Sequence, residues 1–115
     1  MKKLFNKIAR YVVAAYANRL YAKAVKKAEQ RHAEEKTMIY VISSFLDESL
    51  LVCCSRKEFR EVKEKLGLRQ LKIDGLKAGS WYHSADAIDR NGMAPIDKEA
   101  RRIAFVRMVI AKSNL

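Results

Sequence analysis

Two absences constrain this chain most: no glycine or proline occurs before Gly67, and no acidic residue occurs before Glu29. The opening third is rich in Ala, Lys, Leu and Arg, which favour helix. With nothing to break it, the stretch 3–35 is expected to form one long helix, or two helices meeting near Asn18. At about 100° per residue, Phe5, Ile8, Val12 and Ala15 share one face. Leu20, Tyr21, Ala24 and Ala28 gather on a face rotated by more than ~120° from the first. The cations swap in the opposite sense, with Lys3, Lys7 and Arg10 on one side and Arg19, Lys23 and Lys26 on another. A straight helix of this kind meets two neighbours: the domain, and a partner chain, membrane or polyanion. A kink at Asn18-Arg19 would instead let both halves pack on one core.

The rest of the chain changes character. Met38 to Phe45 alternates Ile39, Val41 and Phe45 with Met38, Tyr40 and Ile42, the pattern of a strand covered on both sides. Leu46 to Ser49 is a turn, and Leu50 to Cys54 completes a hairpin. Ser55 and Glu58 have capping-box spacing, which starts a helix striped by Phe59, Val62 and Leu66. Gly67 ends it as a left-handed cap, against which Leu68 can pack. Leu71 to Leu76 is expected as a third strand, Ala78-Gly79 as a turn, and Ser80 to Ser84 as a short fourth strand. Ala85 to Ala94 is a loop. Pro95 opens a last helix, with Ile96, Ile103, Val106 and Ile110 inward and Arg101, Arg102, Arg107 and Lys112 outward. The expected fold is α+β: a long basic N-terminal helix (1–36), then a compact ββαββα domain (37–115) with a small, mainly antiparallel sheet.

A length of 115 residues fits one domain, and a hydrophobic half excludes a disordered chain. Cys53 and Cys54 are adjacent, so in a strand they point to opposite faces and are poorly placed to bridge. Reduced thiols in a cytoplasmic protein are expected. Lys7 and Arg10 interrupt the N-terminal apolar stretch, which argues against a signal peptide. No run reaches the ~18 apolar residues of a membrane span.

Candidate chemistry is thin. His32, beside Glu34 and Glu35, reads as a solvated side chain. His83 lies in Trp81-Tyr82-His83-Ser84-Ala85-Asp86, where a pairing with Asp86 or Asp89 would make a base and its orienter. No nucleophile stands at a diagnostic spacing, so a structural role is favoured for His83. Trp81, Tyr82, His83, Asp86 and Asp89 form the one candidate functional loop. Asp86, Asp89, Asn91 and Gly92 miss the calcium-loop pattern, because Ile88 and Arg90 interrupt it and no closing glutamate precedes Glu99. Zinc spacing is missing as well. No phosphate-loop, dinucleotide, nucleophile-elbow or zinc-protease motif occurs, and no cofactor or metal is expected.

The charge is the stronger signal: 24 Lys and Arg against 13 Asp and Glu, a net +11. In the capped helix Arg56, Lys57, Arg60, Lys63 and Lys65 are interleaved with Glu58, Glu61 and Glu64, as on a solvated face. In the first helix Lys2, Lys3, Lys7, Arg10, Arg19, Lys23, Lys26 and Lys27 have no acid among them, an arrangement suited to phosphates. Tyr11, Tyr16 and Tyr21 can stack on bases or pack a core. The same helix also matches an interfacial membrane helix, though its apolar patch is short and lacks tryptophan. No helix-turn-helix and no RNA-binding strand motif is present.

The run from Ser55 to Leu68, the segment from Trp81 to Asp86, and Arg101 to Arg107 resemble small uncharacterised proteins of phages and mobile elements of gut bacteria. The resemblance covers roughly the last two-thirds of the chain. It implies a setting that favours nucleic-acid binding or assembly, and carries no catalytic residue. The leading expectation is a non-enzymatic protein that contacts nucleic acid, or an acidic protein surface, through those eight cations. The alternative is a structural or assembly protein that docks or oligomerises through the same helix. An enzyme using His83 comes third.

Overall fold

The computed structural model describes residues 2–44, 46–67, 76–85 and 92–113. The chain starts as one continuous helix, α1 (Lys2–Glu35), which runs unbroken through Asn18. The Asn18 side-chain amide donates to the Ala14 carbonyl one turn back (2.9 Å), so this polar group is satisfied by the helix itself. α1 ends where Lys36 turns left-handed (φ 54°) and its amide reaches the His32 carbonyl at 2.8 Å. At about 1.5 Å per residue the helix is about 51 Å long, matching the 52 Å longest dimension of the molecule.

The expected hairpin forms from β1 (Ile39–Ser43) and β2 (Leu51–Ser55), paired antiparallel with Val41 opposite Cys53. Next come α2 (Arg56–Leu66), the short α3 (Leu76–Gly79), β3 (Tyr82–His83) and α4 (Pro95–Lys112). β3 also pairs antiparallel with β1, so the strand order is β2-β1-β3. The central strand is buried on both faces. Ile39 and Val41 join Tyr21, Ala24, Ala28, Phe105 and Val109 in the main core, under α1 and α4. Tyr40 and Cys54 face the other way, against Phe59 of α2 and Leu76 of α3. The molecule is a three-layer α+β sandwich, and residues on both sides of position 36 share its main core.

The ββαββα order is not matched. Leu76, expected to end a third strand, begins α3, and residues 71–75 lie outside the described part. Ala78 and Gly79 belong to that helical turn. The expected fourth strand shrinks to Tyr82–His83, the third strand described. Pro95 does open α4 as its first residue, but α4 is turned from its expected orientation. Phe105 and Val109 are buried, Val106 and Met108 pack beside them, and Ile96 (79% exposed) and Ile103 (38%) face outward. α4 offers two apolar stripes, and the one carrying the large Phe105 ring is covered. That ring meets Trp81 edge-on at 5.4 Å and Tyr21 at 6.1 Å. On α2 only Phe59 is buried; Val62 and Leu66 are exposed.

Local signals at the ends of α2 hold. The Ser55 hydroxyl accepts from the Glu58 amide (3.2 Å), and the Glu58 carboxylate accepts from the Ser55 amide (3.0 Å). Gly67 caps the helix at φ 66°, the left-handed region that favours glycine.

Candidate interaction surface on the first helix

α1 has two halves. From Ala17 onward, one stripe of the helix (Ala17, Tyr21, Ala24, Val25, Ala28) is buried against the sheet and α4. The Tyr21 hydroxyl donates to the Trp81 carbonyl at 2.6 Å, and Asn18 accepts from Arg102. As α1 numbers fall from Tyr21 to Asn18, their α4 partners rise from Lys98 to Arg102, so the two helices run antiparallel.

Before Ala17 the body no longer covers the helix. Leu4, Phe5, Ile8, Tyr11, Val12 and Tyr16 are 55–78% exposed, and only Val13 packs against the core from the side. At about 100° per residue these six fall in an arc of about 140°, centred opposite the buried stripe. Phe5, Ile8 and Val12 share their azimuth with Arg19, Lys23 and Lys26 further along. The outward line of α1 is therefore apolar first and cationic afterwards. Lys3, Lys7 and Arg10 continue the line of the buried stripe on the reverse side. Lys27 lies between these lines, and Lys2 belongs to the helix by its backbone. The inversion expected from the sequence is present in a single helix.

Lys3, Lys7, Arg19, Lys23, Lys26 and Lys27 are exposed, and among the described residues none makes an ion pair. Five of the acids have other partners. Glu29 accepts from the Tyr82 hydroxyl (2.5 Å), Glu35 and Glu58 are held by Arg31, Glu99 by Arg102, and Glu48 by Lys112 (3.4 Å).

The loop around His83 is tied into the scaffold. The Trp81 indole donates to Ser43 (2.9 Å), and Lys98 lies over the Tyr82 ring at 5.7 Å. His83 is 5% exposed, and its Nδ1 donates to the Ser84 carbonyl at 3.0 Å. It lines a cleft of about 610 Å³ with Lys77, Met93, Pro95 and Arg101. Arg101 spends one nitrogen on the carbonyls of Lys77 (3.1 Å) and Ser80 (2.6 Å). Asp86 and Asp89 lie outside the described residues, so the proposed pairing has no geometry here. His32 is half-buried rather than solvated; its Nδ1 donates to the Thr37 carbonyl at 2.8 Å.

Cys53 and Cys54 are free thiols on opposite faces of β2. Burial pushes Cys54 up to about 12, so it is a packed neutral thiol. Among the described residues no cluster of His, Cys, Asp or Glu is placed to hold a metal ion. No described helix is long and apolar enough to cross a membrane.

Sequence reasoning missed three arginines that assemble the fold. Arg31 joins α1, β2 and α2, while Arg101 and Arg102, expected on the outer side of α4, flank its inner face. The Arg31–Glu35 spacing of four was a readable signal; the other partners are distant in sequence. These features define a small three-layer α+β protein with one exposed, two-faced basic helix. No known family, curated protein or solved structure matches the chain.

Proposed function

We propose that this chain is a non-enzymatic binding protein that docks through α1 on an array of phosphate groups. One observation carries the reading: six exposed cations of α1 make no ion pair among the described residues, while Glu29, Glu35 and Glu58 are engaged with other partners. Such cations bind phosphates by releasing counterions, which makes affinity fall steeply with salt. Nucleic acid and lipid headgroups both present that chemistry. The partner takes no base-specific contact from these side chains. The free thiols suit a reducing compartment such as the cytoplasm. A setting among phage or mobile-element proteins belongs to the same reading and rests on the resemblance alone.

The test is retention on a polyanion, measured against salt. The wild-type chain should be retained by heparin, and log affinity should fall linearly with log salt. Arg19→Gln/Lys23→Gln/Lys26→Gln should flatten that slope by roughly 1 per removed contact. A slope unchanged in this triple variant would overturn the assignment.

A self-assembly role draws on the uncovered apolar face. Pairing two copies of α1 in parallel along that face, however, sets Arg19, Lys23 and Lys26 of each, which share its azimuth, against the same cations of the other, which opposes association.

A further inference from the structure

We propose that the partner of α1 is an anionic phospholipid surface, with the N-terminal half of the helix lying in its interfacial layer. The inference rests on α1 being the docking element and names what it docks on. Leu4, Phe5, Ile8, Tyr11, Val12 and Tyr16 form an apolar strip about 18 Å long that no part of the described body covers. A nucleic acid can neutralise the cations but leaves Phe5, Ile8 and Val12 in water. A second copy can cover the strip but adds like charge. A bilayer with acidic headgroups supplies phosphate and hydrocarbon together.

The geometry suits a flat partner. The strip and the cations Arg19, Lys23 and Lys26 share one azimuth, opposite the stripe buried by the body. One plane therefore reaches both along α1 while the sheet and α4 stand off it. Phe5, Ile8 and Val12 enter the acyl boundary, and Tyr11 and Tyr16 keep their hydroxyls at headgroup level. The three cations beyond them meet phosphates. The strip is too short and too closely flanked by charge to span, so the helix lies on the surface.

The test uses the full chain with phosphatidylcholine vesicles, plain or with a quarter phosphatidylglycerol. Binding should require the acidic lipid and weaken with salt. Phe5→Trp should show a blue-shifted indole emission on acidic vesicles, measured against the Trp81 background of the parent. Phe5→Ser/Ile8→Ser/Val12→Ser changes exposed positions only. It should lower vesicle partition at least about tenfold, keeping the circular dichroism and melting temperature of the parent. Arg19→Gln/Lys23→Gln/Lys26→Gln should weaken it by roughly fivefold per removed cation. Acidic vesicles that give neither binding nor an emission shift overturn the lipid assignment. If duplex DNA is bound in that case, with the emission of Phe5→Trp unchanged, docking on phosphates survives and the lipid partner does not. If neither is bound, both fall. A concentration-dependent dimer that ignores vesicles and disappears in the triple serine variant would replace the lipid with a second copy.

Discussion

Replacing Arg31 by Met should destabilise the fold by about 2 kcal/mol at neutral pH, and the loss should shrink in acid. Arg31 leaves α1 and reaches three elements. Its Nε and Nη2 donate to Glu35 (2.6 and 3.1 Å), Nη2 donates to Glu58 (2.5 Å), and Nη1 to the Cys53 carbonyl on edge strand β2 (3.0 Å). The exposed i,i+4 pair is worth only about 0.3–0.5 kcal/mol. The link to Glu58, whose side chain is half exposed, is worth about 0.5 kcal/mol after solvent screening. The bond from a charged donor to a carbonyl adds about 1 kcal/mol, and methionine keeps the packing of the stem. For a chain of this length that sum lowers the melting temperature by roughly 6–10 °C.

The sign with pH follows from Glu58. Burial pushes its carboxyl up, but hydrogen bonds from Arg31 and Ser55, with the Arg31 charge, outweigh burial and hold it below the usual value of 4.5. A folded pKa below the unfolded one stabilises fully above the unfolded value, and that stability disappears as pH falls through the depressed value. Thermal melts from neutral pH down through the carboxylate range should show the gap between wild type and Arg31→Met closing. Glu58→Gln keeps a capping-box acceptor but removes the charge, and should close the same part of the gap. The double variant should fall short of additivity. Equal melting temperatures at neutral pH, or a gap that stays constant into acid, would refute the assignment.

Two further perturbations probe the body. Tyr21→Phe removes the hydroxyl that bonds the Trp81 carbonyl and should cost about 1–2 kcal/mol in urea denaturation; an unchanged midpoint would show that this bond contributes nothing. Burial raises the Tyr21 hydroxyl to about 12, against the pull of Arg101 and Arg102, so it should stay protonated in a spectroscopic titration until well past the ordinary tyrosine range. Lys36→Gly places glycine at a φ of 54° and should be neutral or stabilising by up to about 1 kcal/mol, whereas a drop in melting temperature would mean that the Lys36 side chain holds the end of α1.

What the sequence disclosed and what it withheld divide along contact distance. The α2 cap was readable because its two hydrogen bonds join residues three apart, and Gly67 announces its own backbone geometry. The alternation in β1 likewise specified which side chains go up and which down, with Val41 and Tyr40 on opposite sides. The rotation of α4 could not be read locally. Both of its apolar stripes satisfy helical spacing, and the choice depends on where Tyr21 and Trp81 stand, far away in sequence. The Trp81-Tyr82-His83 segment looked functional because polar aromatics near aspartates suit an active loop. Its rings tie β3 to α1, β1 and α4, through contacts with Glu29, Ser43 and Phe105 that lie far away in sequence.

The inversion along α1 explains why the helix outruns its body. The stripe that carries Ala17, Tyr21 and Ala24 carries Lys3, Asn6, Lys7 and Arg10 one half-helix earlier. Covering that earlier stretch would strip water from cations, at several kcal/mol each, so the core ends where the small side chains end. A free helix of that length is marginal in water, but here it propagates from a half already fixed by packing. Its first turn holds no acid and begins with Lys2 and Lys3, the wrong sign for the positive end of a helix dipole. A partner that brings negative charge to this end relieves that conflict while its apolar part covers Phe5, Ile8 and Val12. The apolar strip that the protein leaves least satisfied is therefore the part that an anionic, partly apolar surface covers.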